Sequence, residues 1–205
     1  GLIPKISIDY ENLNQYQNNI YDAGENILSA SERTIVGSPL NVVKTVTQED
    51  GVGGFNKIDY QYKDLRMNRD GRGIEGFKTF IITDHSTKTQ TTSTFHRSFP
   101  YSGKPASITR QVFESIGANN VPNVARTIST STYSYRDFSI NPGVKMVVNY
   151  ATENEDFEKG TKVTTLTGYD GDTRKIDNQG NVEWMQETTT GHGQTYQITT
   201  TNTYK

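Results

Sequence analysis

Three histidines are the residues in this sequence whose chemistry most readily suits catalysis or metal binding: His85, His96 and His192. His85 and His96 fall on neighbouring strands of a predicted hairpin, which would allow the two rings to approach each other. A zinc site requires three or four ligands, and no further ligand stands at motif spacing. The chain has no cysteine, which removes thiolate ligands, disulfides and thiol nucleophiles together. We therefore expect neither a metal site nor a bound cofactor.

A glycine-rich stretch, Gly71-Arg72-Gly73-Ile74-Glu75-Gly76, has the spacing of a phosphate-binding G-x-G-x-x-G loop. A dinucleotide site requires a strand before this loop and a helix after it. Here the following residues, 77–83, alternate as a strand does. The stretch is therefore interpreted as a bulged turn in which glycines adopt positive φ, with Phe77 and Phe80 anchoring the next strand.

The strongest enzymatic alternative comes from Arg126, Ser129-Thr130-Ser131 and Glu153-Asn154-Glu155, which stand in the order Arg, STS, E-x-E. That order resembles the ADP-ribosyltransferase toxins. In their fold the arginine and the STS lie on different strands, whereas Arg126 and Ser129 fall three residues apart on one predicted strand. Using Arg110 lengthens the gap, which still stays short. An acidic turn in contact with solvent explains the glutamates more simply, and we expect no enzymatic activity.

Other catalytic and ion-binding patterns are weaker. No G-x-S-x-G nucleophile elbow is present. Asp170-Gly171-Asp172 and Asp177-Asn178 carry calcium-type ligands, but the alternate-position order of an EF-hand is missing, so turns in contact with solvent are expected. A glycan- or receptor-binding module remains an open alternative, because exposed aromatic rows suit such surfaces. Its candidate residues are Tyr21, Tyr133, Tyr135 and Trp184.

The elements that position these residues are predicted to be strands, because nearly every patterned stretch alternates with a period of two. Clusters of Gly, Asn, Asp and Pro separate the stretches as turns do. We predict an all-β fold, an antiparallel meander of long strands. The predicted strands cover residues 5–10, 42–47, 58–62, 77–83, 89–97, 126–135, 144–150, 163–169, 182–187 and 195–204.

Helical and irregular segments are predicted to be few. Residues 114–120 have the composition of a single helical turn, and residues 25–33 show some 3.6-residue periodicity. Two stretches, residues 11–40 and 114–124, are predicted to be long connections, and loops of that length are either functional or packed along a larger surface.

Composition restricts both the core and the partners. Only 32% of the residues are hydrophobic, which predicts thin burial. A formal net charge of -2 gives no electrostatic footprint for nucleic acid or an anionic membrane. No apolar run approaches the ~18 residues of a membrane span. The first residues lack signal-peptide order, and the absence of an initial Met leads us to expect a piece of a longer chain.

An ordered series of motifs occupies the first half of the chain: D-G-x-G-G, Y-x-Y, D-G-R-G-x-x-G-F and F-P-x-x-G-x-P. Its members are Asp50, Gly51, Gly53, Gly54, Tyr60, Tyr62, Asp70, Gly71, Arg72, Gly73, Gly76, Phe77, Phe99, Pro100, Gly103 and Pro105. This series resembles the middle region of Toxin-complex (Tc) B components and of related RHS-type and Salmonella plasmid-virulence-type secreted toxins. The resemblance covers about residues 1–110.

A second element, Tyr169-Asp170 followed by the turn that ends at Gly180, looks like one degenerate YD repeat. The family pattern places Gly-Arg after the first turn, whereas this chain has Thr173-Arg174 there. Residues 111–205 would then supply further shell strands.

The resemblance implies that residues 1–205 form one sheet segment of an RHS-type β-shell. In the family this region follows a β-propeller and begins a hollow β-sheet cocoon around a toxic C-terminal polypeptide. The implied role is structural and the implied location is outside the cell. The implied partners are the upstream propeller, the downstream repeats and an encapsulated effector. No catalytic residue comes with the matched motifs. Because burial is thin, we also expect open strand edges.

Overall fold

A computed structural model of the chain describes residues 5–13, 20–24, 32–35, 39–118 and 121–204. Within these ranges the chain forms fifteen β-strands and no α-helix. In chain order, β1 to β15 are Ile6–Asn12, Tyr21–Asp22, Glu32–Thr34, Asn41–Glu49, Phe55–Asn68, Gly73–Asp84, Thr89–Phe95, Pro105–Ile116, Pro122–Asn141, Val144–Asp156, Thr161–Thr167, Tyr169–Asp170, Thr173–Arg174, Trp184–Gly191 and Gln194–Thr201.

Thirteen of these strands form one open sheet, and the remaining two, β12 and β13, pair with each other. Along the sheet the order is β1-β4-β5-β6-β7-β8-β9-β10-β11-β14-β15, so consecutive strands are mostly neighbours. The all-β meander predicted from the alternation is confirmed. One strand pair is parallel instead of antiparallel: β2 runs in the same direction as β5, with Tyr21 opposite Tyr62.

The strands are long because β-branched and aromatic residues alternate over extended stretches. The longest, β9, has 20 residues, which corresponds to about 66 Å at the usual rise per residue. Short turns reverse the chain between neighbours. In the turn between β14 and β15, His192 has φ 51° and Gly193 has φ 75°, and two positive φ values in a two-residue turn match the right-handed twist of the flanking strands.

Two local predictions are wrong. Residues 114–116 continue β8 as strand instead of starting a helical turn, and residues 122–124 of the predicted long connection over 114–124 already belong to β9. The β8–β9 ladder pairs Ser115 with Asn123 and Ile116 with Pro122, so both ends of the predicted connection lie in the sheet. In the other predicted connection, residues 11–40, β2 and β3 are strands. The predicted helical periodicity over 25–33 falls mostly outside the described residues, and Glu32 and Arg33 lie in β3.

The core is small and lies at one end of the sheet. Among the described residues, Leu13, Ile20, Val42, Tyr62 and Leu65 form the buried cluster. A ring of half-buried side chains packs around it: Tyr21, Ile35, Tyr60, Phe77 and Phe80. As the composition predicts, few side chains are buried. Among the described residues they form one local core, and most of the sheet remains accessible to solvent.

One face of the sheet from β7 to β15 is a lattice of hydroxyl and charged side chains. Directly opposed residues in antiparallel strands lie on the same face, so the ladder registers define rows across the sheet. One row is Thr92-Thr109-Thr130-Glu155-Lys162-Thr190-Thr195, and the next is Thr94-Ser107-Thr132-Glu153-Thr164-Thr188-Gln197. This face contains no apolar side chain in either row, which suits permanent contact with water.

Candidate functional site

The D-G-x-G-G motif forms the turn between β4 and β5. The Asp50 carboxylate accepts hydrogen bonds at 2.9 Å from the backbone N–H groups of Val52 and Gly54. These two bonds lower the pKa of Asp50 below its usual value. A Cβ on Gly54 would lie 2.4 Å from Asp50 Oδ2, so this position has no room for a side chain while the Asp50 bonds persist. The motif is therefore a turn held by its own aspartate.

The Y-x-Y motif packs on the glycine-rich stretch. Tyr62 lies 4.9 Å from Phe77 and 5.1 Å from Phe80, measured between ring centroids. Tyr60 stacks on Phe80 at 5.8 Å. The Tyr62 hydroxyl donates a hydrogen bond of 2.9 Å to the Val43 carbonyl. The prediction that Phe77 and Phe80 anchor this part of the sheet is confirmed.

An unusual backbone conformation interrupts β5 beside this aromatic cluster. Asp64 has φ 55° although it lies inside a strand. The local break in alternation brings Tyr62 and Leu65, three residues apart, into the same core. Aspartate is one of the few non-glycine residues that tolerates this region, at a cost of about 1–2 kcal/mol.

Buried ion pairs surround Asp64. Its Oδ1 lies 3.0 Å from Arg66 Nε, and its Oδ2 lies 2.7 Å from Arg97 Nη1. Arg66 Nη1 also lies 2.7 Å from Glu32 Oε2. Burial alone would lower the pKa of Arg66, but the two carboxylates outweigh it and raise the pKa. The charges adjoin a cleft of about 500 Å³ lined by Asp22, Gly24, Lys63, Asp64, Arg66, Lys78, Thr79 and Arg97.

The sequence patterns did not predict this charge cluster. The signal that could have revealed it is Lys63-Asp64-Leu65-Arg66, where charged residues enter an otherwise alternating strand in which aspartate is disfavoured. Arg97 joins from 31 positions beyond Arg66, and no local pattern links it to Asp64.

The two loop motifs contact each other. Arg72 of the glycine-rich loop places its guanidinium carbon 3.5 Å from the ring centroid of Phe99 in the F-P-x-x-G-x-P loop. Gly71, Gly73 and Gly76 have φ values of 89°, 76° and 86°. The predicted positive φ of these glycines is confirmed, and it permits the loop to reach Phe99.

The F-P-x-x-G-x-P loop itself closes the β7–β8 hairpin. Gly103 N donates to the His96 carbonyl at 2.9 Å, and His96 N donates to the Lys104 carbonyl at 2.8 Å. Pro105 opens β8 opposite Phe95. The peptide between Phe99 and Pro100 is cis. A hydrogen bond from the Tyr101 hydroxyl to Asp137 then ties the hairpin to β9, and it raises the pKa of Tyr101.

The degenerate YD element folds back over β9 and β10. Tyr169 is buried, and the guanidinium of Arg136 lies 4.8 Å from its ring centroid and 4.4 Å from that of Tyr150. Asp170 is exposed and pairs through β12 and β13 with Thr173. Arg174, at the position of the family Gly-Arg, lies 4.2 Å from the Phe138 ring centroid.

Two glycines permit this fold-back. Gly168 has φ 67°, and a Cβ there would lie 2.3 Å from Ile176 Cδ1. Gly180 has φ 94° and approaches the Met146 side chain. The close packing explains why the YD element stands apart as a small hairpin instead of continuing the large sheet.

The histidines do not meet. His85 follows β6 at the turn end of the β6–β7 hairpin, where its Nε2 lies 2.7 Å from Asp59 Oδ2. His96 follows β7 at the opposite end, about 25 Å away by strand rise, and its ring contacts Tyr101 and Tyr135. The predicted approach of the two rings is wrong, because a strand's length separates them. In the ranges that the structure describes, no three His, Asp or Glu side chains cluster as metal ligands.

The ADP-ribosyltransferase residues lie on β9 and β10. Arg126 Nη1 is 2.6 Å from Glu158 Oε1 at an exposed position. Thr130 lies opposite Glu155, and Ser131 donates a 2.7 Å hydrogen bond to Asn154. Glu153 Oε2 lies 2.9 Å from Lys162 Nζ. These residues therefore lie on a sheet surface, paired with each other or with neighbouring charges.

The candidate aromatic residues for glycan binding, Tyr21, Tyr133, Tyr135 and Trp184, are half-buried. Tyr21 packs edge-on against Phe77 at 6.2 Å, and its hydroxyl accepts from the Leu65 N–H at 3.2 Å. Tyr135 contacts His96 and Tyr101. The four side chains are thus less exposed than that alternative supposes, and the rings of Tyr21 and Tyr135 belong to separate clusters.

No protein-family model matches the chain, and no curated protein matches it significantly. None of the described segments forms a helix with the length and apolar character needed to cross a membrane.

Proposed function

We propose that this chain is a structural, non-catalytic segment of a secreted RHS/Tc-type toxin, and that its sheet contributes to the β-shell around a C-terminal toxic polypeptide. The observation that supports the proposal is the open sheet that the described residues form, which has thirteen strands and one small core. An open sheet of this kind leaves most of both faces accessible, as expected for the wall of a shell. Its edge strands can pair with further strands.

The motif contacts support the same role. Several members of the motif series shape a turn or connect two loops, as in the contact between Arg72 and Phe99, and Tyr60 and Tyr62 pack at the core. The Asp64 ion pairs hold β5 next to the loop that carries Arg97. Residues that set the geometry of a sheet are what a shell segment needs, and the polar lattice on one face suits a wall in contact with water.

The proposed partners are the remainder of the same polypeptide and the enclosed effector. An upstream propeller would adjoin β1, and downstream repeats would add beyond β15. Exposed edge strands have unpaired N–H and C=O groups that favour such additions.

Imaging of the natural gene product that contains this chain, by electron cryomicroscopy, tests the proposal. We expect residues 5–204 to lie in the wall of a hollow shell, with the strand edges paired to neighbouring segments. A chain that folds as a separate module outside any shell would overturn the proposal.

A glycan array with the purified chain tests the binding-module alternative. The shell role predicts no specific glycan signal. A signal that is lost in Trp184→Ala but kept in Met185→Ala would favour the binding module instead.

A further inference from the structure

β15 is the last strand of the sheet and has a free edge along its whole length. It pairs only with β14 among the described strands, in an unbroken antiparallel register from Gln194 to Thr201. All eight of its residues are exposed. The side chains of Gln197 and Thr199 form hydrogen bonds with β14, at Thr188 and Gln186. The outer backbone groups are thus left available.

Odd- and even-numbered residues of β15 direct their backbone N–H and C=O groups to opposite sides of the strand, so one known hydrogen bond identifies which groups face outward. Asn202 N donates to the Glu183 carbonyl at 2.9 Å. In an antiparallel ladder only every second residue bonds to a given neighbour, so the even-numbered residues of β15 bond to β14. Thr195, Gln197 and Thr199 therefore direct their N–H and C=O groups to the free edge.

This edge lacks the features that protect edge strands from pairing. Its sequence, Gln194 to Thr201, contains no charge, no proline and no bulge. Natural sheets block exposed edges with charges, prolines, bulges or short strands. The opposite end of the sheet has such protection: β1 contains Asp9 and Glu11, and a register shift interrupts it between Asp9 and Tyr10. The two edges of the sheet thus differ: β1 carries features that hinder pairing with another strand, whereas β15 carries none of them.

Two apolar side chains on β15 complete the surface. Tyr196 and Ile198 are 64% and 66% exposed, and they lie on the same face because they are two residues apart. Aromatic and β-branched residues form favourable pairs when they lie opposite each other on neighbouring strands.

We propose that the free edge of β15 is a strand-addition site, and that in the purified chain β15 of a second copy occupies it as an antiparallel strand centred on Gln197. With Gln197 opposite its own copy, Thr195 lies opposite Thr199 of the second copy, so the outward backbone groups of both strands bond to each other. The same register places Tyr196 opposite Ile198 in the closer, non-hydrogen-bonded pairs. No like charges meet, because the strand has none.

This inference rests on the proposed function in one respect. In a shell, the next strand of the parent protein would pair with the same edge of β15. In the isolated chain a second copy would take that place. A seven- or eight-residue edge buries less area than a standard stable interface, so the dimer is expected to be weak and to depend on concentration.

Sedimentation velocity over a concentration series tests the dimer. We expect the wild-type chain to associate and Gln197→Lys to remain monomeric, because the two lysines would face each other. Thr188→Lys is the matched control: Thr188 lies opposite Gln197 on β14, on the same face but inside the sheet. Its two copies would be about 14 Å apart at the usual strand spacing, which exceeds the Debye length at physiological salt. Thr188→Lys should therefore associate as the wild type does.

Disulfide trapping tests the register, because the chain has no cysteine and any introduced thiol is unique. Gln197→Cys should yield a covalent dimer on mild oxidation, since a hydrogen-bonded pair places the Cα atoms about 5.5 Å apart. Thr195→Cys should not, because its two copies would be about 14 Å apart. Circular dichroism of each variant verifies that the sheet is intact.

A wild-type chain that stays monomeric at all concentrations, or equal trapping at positions 195 and 197, would overturn the inference. Association that survives Gln197→Lys but is lost in Ser7→Lys would also overturn it, since the contact would then use β1. These outcomes are separate from the imaging test of the shell: a monomeric chain leaves the shell role standing, and a module outside the shell leaves the dimer standing.

Discussion

The guanidinium of Arg72 lies 3.5 Å from the centre of the Phe99 ring, which joins two loops that are 27 positions apart in the sequence. Both residues are exposed, so solvent weakens the attraction between them. An exposed cation–π pair of this kind contributes about 0.5–1 kcal/mol. The contact thus connects the two motif loops and makes a small but measurable contribution to the free energy of unfolding.

Arg72→Ala should lower the free energy of unfolding by about 0.5–1 kcal/mol because the ring loses its cationic partner. Chemical denaturation measures this effect. In a double-mutant cycle with Phe99→Leu, the two changes should be less than additive. Full additivity would contradict an energetic contact between the two loops.

Gly73→Val should lower the melting temperature. Gly73 has φ 76°, and no atom lies within 4 Å of the position that a Cβ would take, so the cost comes from the backbone alone. A side chain in this region costs about 1–2 kcal/mol. Gly73→Asn is the matched control and should lose less, since asparagine tolerates positive φ. Equal melting temperatures for the wild type and the Val variant would show that the glycine does not determine the shape of this loop.

Leu65→Ala should be strongly destabilising, because it opens a cavity in the core. Leu65 is 1% exposed in the only multi-residue core among the described residues. Removing a buried leucine side chain costs about 2–5 kcal/mol. Ile74→Ala is the control, because Ile74 is 64% exposed and its loss should be nearly neutral. Similar denaturation midpoints for the two variants would contradict the location of the core.

The stability of the β4–β5–β6 region should fall in acid because of Asp59. Burial by itself would raise the pKa of Asp59, but hydrogen bonds from Lys57, Thr45 and His85 outweigh it and lower the pKa. A carboxyl whose pKa is lower in the folded state stabilises the fold fully above its ordinary pKa, about 3.9. This stabilisation is lost as the pH falls through the folded pKa.

Melting temperatures between pH 6 and pH 2.5 test this expectation. Asp59→Asn should lower the melting temperature at pH 6 and should show a shallower decline below about pH 4 than the wild type. Asp9→Asn, at an exposed position on β1, serves as the control. An unchanged acid slope in Asp59→Asn would contradict the role given to this carboxylate.

The purified chain should neither consume NAD nor transfer ADP-ribose to protein. Arg126 and Ser129 lie on the same strand, and Arg126 is paired with Glu158 at the surface. Incubation with labelled NAD and cell lysate measures the activity. Label transfer that disappears in Glu155→Gln but persists in Glu158→Gln would contradict the structural role.

The sequence by itself determined the class of the fold and the positions of many of its strands and turns, but it did not predict β8, Pro105–Ile116. Alternation with a period of two is a local property, so Ile58 to Tyr62 and Phe77 to Thr83 could be assigned to strands without any knowledge of their neighbours. The positive φ of the glycines at positions 71, 73 and 76 could be predicted for the same reason, because it depends on the residue itself. The motif series also identified Tyr62 and Phe77, which the fold brings together in its core.

Only the tertiary structure decided which of these residues meet. Asp64 adopts positive φ inside a strand, and its carboxylate pairs with Arg66 and Arg97. Positive φ breaks the regular alternation by which a strand sequence predicts which side chains share a face. His85 and His96 separate because ladder pairing places them at opposite ends of one hairpin. The Tyr169 element folds over Arg136 instead of extending the sheet, since Gly168 permits a close approach to Ile176. Each of these arrangements depends on contacts between residues far apart in the chain, which a local pattern does not encode.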